Sequence, residues 1–364
     1  MPDASTLMSW SAIPNVMIDF SAPLRLRLDG DALLANWRWL KRQSGPAACG
    51  AAIKANGYGL GSEAVMRRLL DAGCRDFFVS NWAEAVVLEL LIGDGVSLSV
   101  LHGVREEDMA VALASRARPV LCTEGQIARW KQAGGGPCDV MVDTGMNRLG
   151  LDWRGDVSAQ VAGLEVATLL SHLASADENV PLSQIQLERF VALRGDVGAA
   201  RYSLANSAGI CLGTAFAFDM TRPGIALYGG VPREEAAGQI GQVVFPEAQV
   251  LQRRRVRAGD TIGYNATHRA AVDMEIAVLN LGYADGYLRG FSGRGSMAID
   301  GKHLPVVGRV SMDLTAVDVS ALPDVAEGDW LSVDYALVEA AAVSGLSQYE
   351  LLTGLGARFD RIWR

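Results

Sequence analysis

The sequence contains few cysteines, no long apolar run and no excess of positive charge. Its five cysteines are widely spaced and include no CxxC pair, which disfavours a disulfide framework or a zinc site. No apolar run reaches the roughly 18 residues that a membrane span requires. The net charge of −8 argues against general affinity for nucleic acid or anionic membranes, so a small-molecule substrate is favoured.

The first twenty residues lack the features of a targeting signal. They contain no basic region and include Asp3 and Asp19, so we expect a cytoplasmic protein. The chain has 364 residues, of which 50% are hydrophobic and 20% are charged, a composition typical of packed domains. A barrel of roughly 250 residues followed by a smaller domain would account for this length.

From about residue 30 to residue 230, short apolar runs alternate with segments of helical period such as Ser62–Ala72 and Pro181–Arg194. This pattern is typical of parallel βα units, and eight strands close a barrel. We therefore predict an α/β fold, with a (β/α)8 TIM-type barrel at 14–238 and a mainly β C-terminal domain at 239–364. The predicted barrel strands are Cys49–Ile53, Asp76–Ser80, Ser97–Leu101, Pro119–Cys122, Asp139–Val142, Glu165–Leu170, Arg201–Leu204 and Ile225–Tyr228.

Beyond about residue 240, strand-like alternation with turn residues replaces the βα pattern, and little helix is expected before Ser347–Leu352. Arg253, Arg254 and Arg255 alternate along a strand and are expected to be solvated or ion-paired rather than to bind phosphate. The predicted strands of this domain are Val243–Val256, Met274–Leu281, Ser296–Ile299, Leu304–Val310, Leu314–Val319 and Trp330–Val333.

Lys54 follows an apolar, strand-like run and enters a Gly-rich turn that also carries Tyr58. Partial burial disfavours the ammonium form, which makes such an amine available to condense with a carbonyl. The run is equally consistent with a lysine that extends from a core strand into solvent. Other polar side chains also follow predicted strands, and in a barrel these positions share one mouth. They are Asn81 and His102, expected to be loop hydrogen-bonders, then Asp143 through Arg148, His172, Asn206 and Ser207.

Several segments are dense in chemically active residues, and they keep one order along the chain. They are the Lys54 run, Asp143 to Gly150, Ser171 to Ala174, Ala205 to Ser207, Arg222 to Ile225, Gly263 to Thr267, Gly282 to Tyr287 and Gly308 to Asp313. Together they closely resemble alanine racemase, from about Val16 to the C-terminal region and across both predicted domains.

The resemblance implies a pyridoxal 5′-phosphate enzyme that interconverts L-alanine and D-alanine as a head-to-tail homodimer with shared active sites. Lys54 would bind the cofactor covalently and act as one catalytic base. Tyr264 matches the second base, which reaches the site from the partner subunit. His172 would link Tyr264 to Arg222, and Arg222 matches the residue that faces the pyridine nitrogen.

The resemblance also implies a binding role for residues around the cofactor and the substrate. A phosphate group needs close approach of backbone N–H groups and hydroxyls, which glycine permits. Arg148 would bind the substrate carboxylate through its guanidinium fork. The cofactor-binding set is Lys54, Tyr58, His172, Asn206, Ser207, Arg222, Gly224 and Ile225, and the substrate-binding set adds Met312, Asp313 and Tyr283 from the partner to Arg148.

Three positions depart from the common pattern of this family. Leu60 replaces a histidine, and Met141 stands where many members carry a carbamylated lysine that orients the substrate-binding arginine. Arg148 must then be held in another way, for which a bound anion and Asn147 are the candidates. Ala357 matches a tyrosine that narrows the substrate pocket, so a serine or broad-specificity amino-acid racemase is the nearest alternative.

Two more distant alternatives share the barrel. A related decarboxylase would use a cysteine in the β domain, but the last cysteine is Cys211. A non-catalytic pyridoxal phosphate carrier would lack the second domain that bears Tyr264. A dinucleotide-binding enzyme is disfavoured because the glycines at 57–61 do not follow the GxGxxG spacing.

Overall fold

The computed structural model describes residues 21–364. The segment behind the cytoplasmic prediction, the start of the resemblance at Val16 and the start of the first predicted domain lie outside the described residues. Within the described residues, no helix is both long enough and apolar enough to cross a membrane. No group of three or more His, Cys, Asp or Glu side chains in the same residues is arranged to hold a metal ion.

The first described strand, β1, does not belong to the barrel. It runs antiparallel to a long strand that begins at Val244 and parallel to the last strand of the chain. Its leucines alternate inward and are fully buried in the second sheet. The strand is β1 (Leu24–Leu28).

Parallel strands form the barrel. Hydrogen-bonded ladders connect seven of them in the order β10, β9, β7, β6, β5, β4 and β3, while β11 pairs with β2. Gly50 separates β2 from β3, so the two are one interrupted strand. The Asp219 N–H donates to the Tyr202 carbonyl at 3.0 Å and closes the ring beside β10. The strands are β2 (Ala48–Cys49), β3 (Ala51–Ala52), β4 (Asp76–Val79), β5 (Ser97–Val100), β6 (Arg118–Leu121), β7 (Cys138–Asp143), β8 (Leu151–Asp152, beside β7), β9 (Val166–Leu170), β10 (Arg201–Ser203) and β11 (Met220–Thr221).

Helices follow these strands and cover the barrel. The first shows why they form: the Asp29 carboxylate accepts the Ala32 N–H as an N-cap, and Leu33, Trp37 and Leu40 bury one face at helical spacing. The helices are α1 (Gly30–Gln43), α2 (Lys54–Tyr58), α3 (Ser62–Asp71), α4 (Trp82–Leu88), α5 (Met109–Ala114), α6 (Glu124–Gln132), α7 (Val157–Val161), α8 (Leu182–Asp196) and α9 (Ser207–Cys211).

The predicted fold class is confirmed, but the prediction for the eighth barrel strand was wrong. Ile225–Tyr228 is a buried 3-10 turn, and the eighth strand is the short pair Met220–Thr221. An apolar run of four residues has the same appearance in a buried strand and in a buried helical turn. Here Gly224 precedes the turn, and Gly229 ends it with a φ of 97°.

The second domain is a mainly antiparallel sheet, in which β1 and β20 are parallel, and it includes two helices between β19 and β20. Its strand order is β15, β18, β17, β16, β19, β12, β1, β20, and β12 also pairs with β15. The six predicted strands are confirmed within a few residues at their ends, whereas β1, β13, β14, β20 and α10 were not predicted. The elements are β12 (Val244–Val256), β13 (Thr261–Ile262), β14 (His268–Arg269), β15 (Met274–Leu279), β16 (Ser296–Ile299), β17 (Lys302–Val307), β18 (Thr315–Asp318), β19 (Trp330–Val333), α10 (Leu337–Ser344), α11 (Gln348–Thr353) and β20 (Asp360–Trp363).

Two of the three consecutive arginines on β12 are ion-paired, as predicted. Arg253 lies 3.3 Å from the Glu275 carboxylate, and Arg255 lies 2.6 Å from that of Asp273. The first contact connects β12 to its neighbour β15, and the second connects β12 to the residue just before β15.

Candidate active site

A cavity of about 600 Å³ opens at the C-terminal ends of the barrel strands. Because parallel strands end at one face, residues distant in sequence meet there. Nine of the predicted site residues line this cavity: Lys54, Tyr58, Arg148, His172, Asn206, Ser207, Arg222, Gly224 and Ile225.

The turn after Lys54 has an unusual backbone. Residues 55–58 all have positive φ, with 53° at Ala55, Asn56 and Tyr58, so the chain makes one left-handed turn. Such a conformation costs roughly 1–2 kcal/mol for each residue other than glycine. The Ala55 N–H donates to the Glu84 carboxylate at 2.7 Å and helps to hold the turn. Strained backbone of this kind is concentrated at functional sites.

The pKa of the Lys54 amine is lowered. Burial is the largest cause, the nearby Arg148 cation is the second, and Glu84 opposes both. The amine therefore loses its proton at a lower pH than an exposed lysine, which favours a nucleophilic or basic role.

Arg222 and His172 form a buried electropositive group next to Lys54. The Arg222 guanidinium donates to the Ser203 hydroxyl and to the Ser171 carbonyl. Burial lowers the pKa of Arg222 to about 10, which leaves it a cation at neutral pH. Burial, followed by the charges of Arg222, Arg148 and Lys54, lowers the pKa of His172 to about 3. The imidazole is therefore neutral and can both donate and accept a hydrogen bond.

A second part of the cavity is built from backbone and hydroxyl groups. The Ser207 hydroxyl accepts the N–H groups of Gly224 at 2.9 Å and Ala226 at 3.3 Å. A Cβ atom on residue 224 would lie 2.3 Å from the Tyr58 hydroxyl, so only glycine allows this approach. The side-chain oxygen of Asn206 caps α9 through the Gly209 N–H at 2.8 Å. The arrangement fits a small anionic group such as a phosphate.

The loop that carries Arg148 is fixed by a carboxylate. Asp143 accepts the backbone N–H groups of Gly145, Met146 and Arg148 at 2.8–2.9 Å. Partial burial alone would raise the pKa of Asp143, but these N–H groups outweigh it and the pKa is lowered. Met141 is buried below this loop and cannot form a carbamate. Within residues 21–364, no carboxylate forms an ion pair with the Arg148 guanidinium.

Comparison with known proteins identifies the family. The alanine racemase N-terminal domain model matches residues 28–232, and the alanine racemase C-terminal domain model matches residues 243–363. The chain belongs to the alanine racemase family. The predicted family and enzyme class are thereby confirmed.

Curated and solved members of the family are similar along nearly the whole chain. The alanine racemase of Acidiphilium cryptum is 40% identical over 352 residues, which cover 93% of this chain and 98% of that protein. The crystal structure of alanine racemase from Bartonella henselae, with covalently bound pyridoxal phosphate, has a TM-score of 0.87 and 33% identity, covering 94% of this chain and 100% of that one. The biosynthetic alanine racemase of Pseudomonas aeruginosa has a TM-score of 0.85 and 32% identity, with 94% and 100% coverage.

The four site residues predicted in the second domain do not line the cavity at the barrel mouth of their own chain. Tyr264 is 67% exposed and borders a separate groove that also contains Arg309 and Ser311. Met312 is 53% exposed, and the Asp313 carboxylate pairs with Arg358 at 2.7 Å. Tyr283 packs under the Arg289 guanidinium, whose carbon lies 5.3 Å from the ring centroid.

The cavity also contains residues that the sequence did not indicate. Tyr349 and Thr353, both on α11, line it. The sequence predicts that helix, but no local signal indicates that it packs on the Lys54 turn. Ala357, matched to the family's pocket tyrosine, is exposed and does not line the cavity.

Of two other residues predicted after strand ends, Asn81 has its expected role as a hydrogen-bonder in a loop, whereas the buried Nε2 atom of the His102 ring has no hydrogen-bond partner within the described residues. Asn81 caps α4 by accepting the Glu84 N–H at 3.1 Å. His102 reaches the cavity wall with its backbone carbonyl bound to Gln126, and its ring lies 3.4 Å from the Asp108 carboxylate.

Proposed function

We propose that this chain interconverts L-alanine and D-alanine with pyridoxal 5′-phosphate, as a homodimer in which each site combines Lys54 of one subunit with Tyr264 of the other. The observation that carries the proposal is the distribution of these groups. Lys54, with its lowered pKa, shares one cavity with a neutral His172 and a buried Arg222 cation, whereas Tyr264 is exposed outside that cavity.

The residues of the cavity fit the proposed cofactor. Lys54 offers a reactive amine, while Ser207, Gly224 and Ile225, with the Tyr58 hydroxyl, would surround the phosphate. Asn206 would contribute by capping the helix that carries Ser207. Pyridoxal phosphate, when bound, supplies an electron-withdrawing ring that makes the α-proton of an attached amino acid acidic.

The protein's own groups would then move and hold protons. The unprotonated Lys54 amine would exchange a proton with the substrate α-carbon on one face, and Tyr264 of the partner subunit would do so on the other. His172, neutral and adjacent to Arg222, would orient that tyrosine. Arg222 would present a permanent cation to the ring nitrogen and keep a proton from binding there. The ring would then withdraw electrons less strongly, which favours return of the proton to the substrate α-carbon over side reactions.

Substrate binding is assigned to residues of both subunits. Arg148 would bind the substrate carboxylate through its guanidinium fork, and its backbone is fixed by Asp143. The partner's Tyr283, the partner's Met312 and the partner's Asp313 would complete the wall. The domain limits at 14–238 and 239–364, and the cytoplasmic location, stay predictions.

The decisive experiment measures racemisation by the purified protein loaded with pyridoxal phosphate. L-alanine, L-serine and L-arginine are incubated separately, and the enantiomers are resolved by chiral chromatography. Convergence to equal amounts with alanine alone supports a strict alanine racemase. Comparable conversion of serine or arginine supports the broad-specificity alternative. No conversion of any substrate contradicts a racemase and leaves the cofactor carrier and the related decarboxylase as the alternatives.

A mixture of two inactive variants tests the shared site. Lys54→Ala and Tyr264→Phe subunits are unfolded together and refolded. If each site combines two subunits, a mixed dimer keeps one intact site of two, and random mixing restores about a quarter of the wild-type activity. If each subunit uses its own Lys54 and Tyr264, the mixture stays inactive.

A further inference from the structure

Three tyrosine rings meet beside the strained turn that follows Lys54. Tyr58 stacks on Tyr228, with ring centroids 4.6 Å apart, and Tyr228 is fully buried. Tyr349 of the second domain approaches Tyr58 at 6.5 Å with an interplanar angle of 41°. Tyr58 therefore has a rigid ring of the barrel as one neighbour and a half-exposed ring from α11 as the other.

Helix α11 is anchored to the barrel of its own chain. The Gln348 side chain accepts the Val231 N–H at 2.9 Å and donates to the Val231 carbonyl at 3.0 Å. A capping box between Ser347 and Glu350 fixes the start of the helix. At its other end, the Leu352 carbonyl comes so close to Gly59 that a Cβ there would lie 2.5 Å away. These contacts give Tyr349 a fixed position relative to the Lys54 turn.

Tyr58 also contacts the loop that contains Gly224 (the Gly224 loop). Its hydroxyl lies against Gly224, whose N–H bonds to Ser207. Its own φ of 53° is a conformation that a bulky residue adopts only when surrounding contacts hold it there. Packing around the Tyr58 ring is therefore required to keep its hydroxyl at the Gly224 loop.

We infer that Tyr349 is a positioning residue that holds Tyr58 against the Gly224 loop and so determines how tightly the chain binds the phosphate of its cofactor. This inference rests on the proposed function, because it takes the Gly224 loop as the phosphate site. Tyr349 acts through Tyr58 and has no part in proton transfer. Its effect is consequently specific to ligands that carry a phosphate.

The test compares the binding of pyridoxal phosphate and of pyridoxal, which lacks the phosphate, to the full chain freed of cofactor. Absorbance titrations give both dissociation constants. We expect Tyr349→Ala to weaken pyridoxal phosphate binding about tenfold, the scale of one aromatic contact, while pyridoxal binding is unchanged. Tyr349→Phe keeps the ring and should bind both like the wild type. Val338→Ala is the control and should bind both ligands like the wild type, since Val338 lies on the neighbouring helix α10, is exposed and does not line the cavity.

A double variant separates positioning from general destabilisation. In a Tyr58→Ala background, Tyr349→Ala should cause no further loss of phosphate-dependent binding. Equal weakening of both ligands, or no weakening of either, would overturn the inference while leaving a cofactor-binding wild type and the proposed function intact. A wild type that binds neither ligand would overturn both. If Tyr349→Ala does not fold, Tyr349→Leu carries the same comparison.

Discussion

The proposed active site combines two regions of the molecule: the barrel mouth, or barrel half, and the surface around Tyr264 and Met312 of the second domain, or exposed half. The two halves differ in solvent exposure. In the barrel, Lys54, His172 and Arg222 lie in a cavity that shifts the pKa of each. On the second domain, Tyr264 and Met312 are more than half exposed. The barrel half is therefore preorganised within one chain, whereas the other half is exposed and, in the proposed homodimer, would acquire its environment from the partner subunit.

The largest effect on the racemisation rate is expected from removing the Lys54 amine in the barrel half. Lys54→Ala should reduce racemisation about a thousandfold, because both the covalent anchor and one base are lost. Chiral chromatography measures the rate, and absorbance measures covalently bound cofactor. The exposed Lys302, another of the four lysines, provides the control. Lys302→Ala should leave the racemisation rate and the amount of bound cofactor unchanged.

A smaller effect is expected on the exposed half. Tyr264→Phe should slow racemisation about a hundredfold, since it removes the second proton-transfer group. Because the side chain is exposed in the single chain, the unfolding temperature of the separated subunit should not change. An unchanged racemisation rate would contradict the role of Tyr264 and weaken the contrast between the two halves.

The electrostatic coupling within the barrel half gives a pH-dependent prediction. An acylating reagent should label Lys54 in the cofactor-free chain with a midpoint below the ordinary lysine value, because its pKa is lowered. Arg148→Met removes a neighbouring cation and should move that midpoint to higher pH. Mass spectrometry of the labelled peptide across a pH series measures it. Arg154→Met, an exposed site paired with Asp152, is the control, and an equal movement in both variants would refute the coupling.

The smallest effect is expected at Met141. The wild type should be indifferent to bicarbonate, since no lysine is present to form a carbamate at this position. Met141→Lys should make the rate depend on bicarbonate by less than about tenfold, the lower range for residues that orient a binding group. Steady-state kinetics with and without bicarbonate decide the question. A bicarbonate-dependent wild type would contradict the prediction that Arg148 is held without a carbamate.

Local sequence patterns predicted the barrel well, because seven of its strands are apolar runs bounded by helices and turns. They did not distinguish Ile225–Tyr228 from a strand, since its side chains are as buried as those of a core strand. Lys54, Arg148, His172, Asn206 and Ser207 could be predicted because parallel strands end at one face. Roles for Tyr58, Arg222, Gly224 and Ile225 were predicted only through the resemblance to alanine racemase. Tyr349 could not, since its contact with Tyr58 joins residues far apart in the chain. The left-handed turn at 55–58 contains only one glycine, so composition gave no sign of it.

The pairing of β1 determines when this protein can finish folding. Leu24, Leu26 and Leu28 are made before the barrel, yet their partners β12 and β20 are made only after it. A chain in which only the barrel had folded would expose three leucines and an unpaired strand edge, which is a site for association with other chains. Any fragment that ends near residue 238 retains this edge permanently.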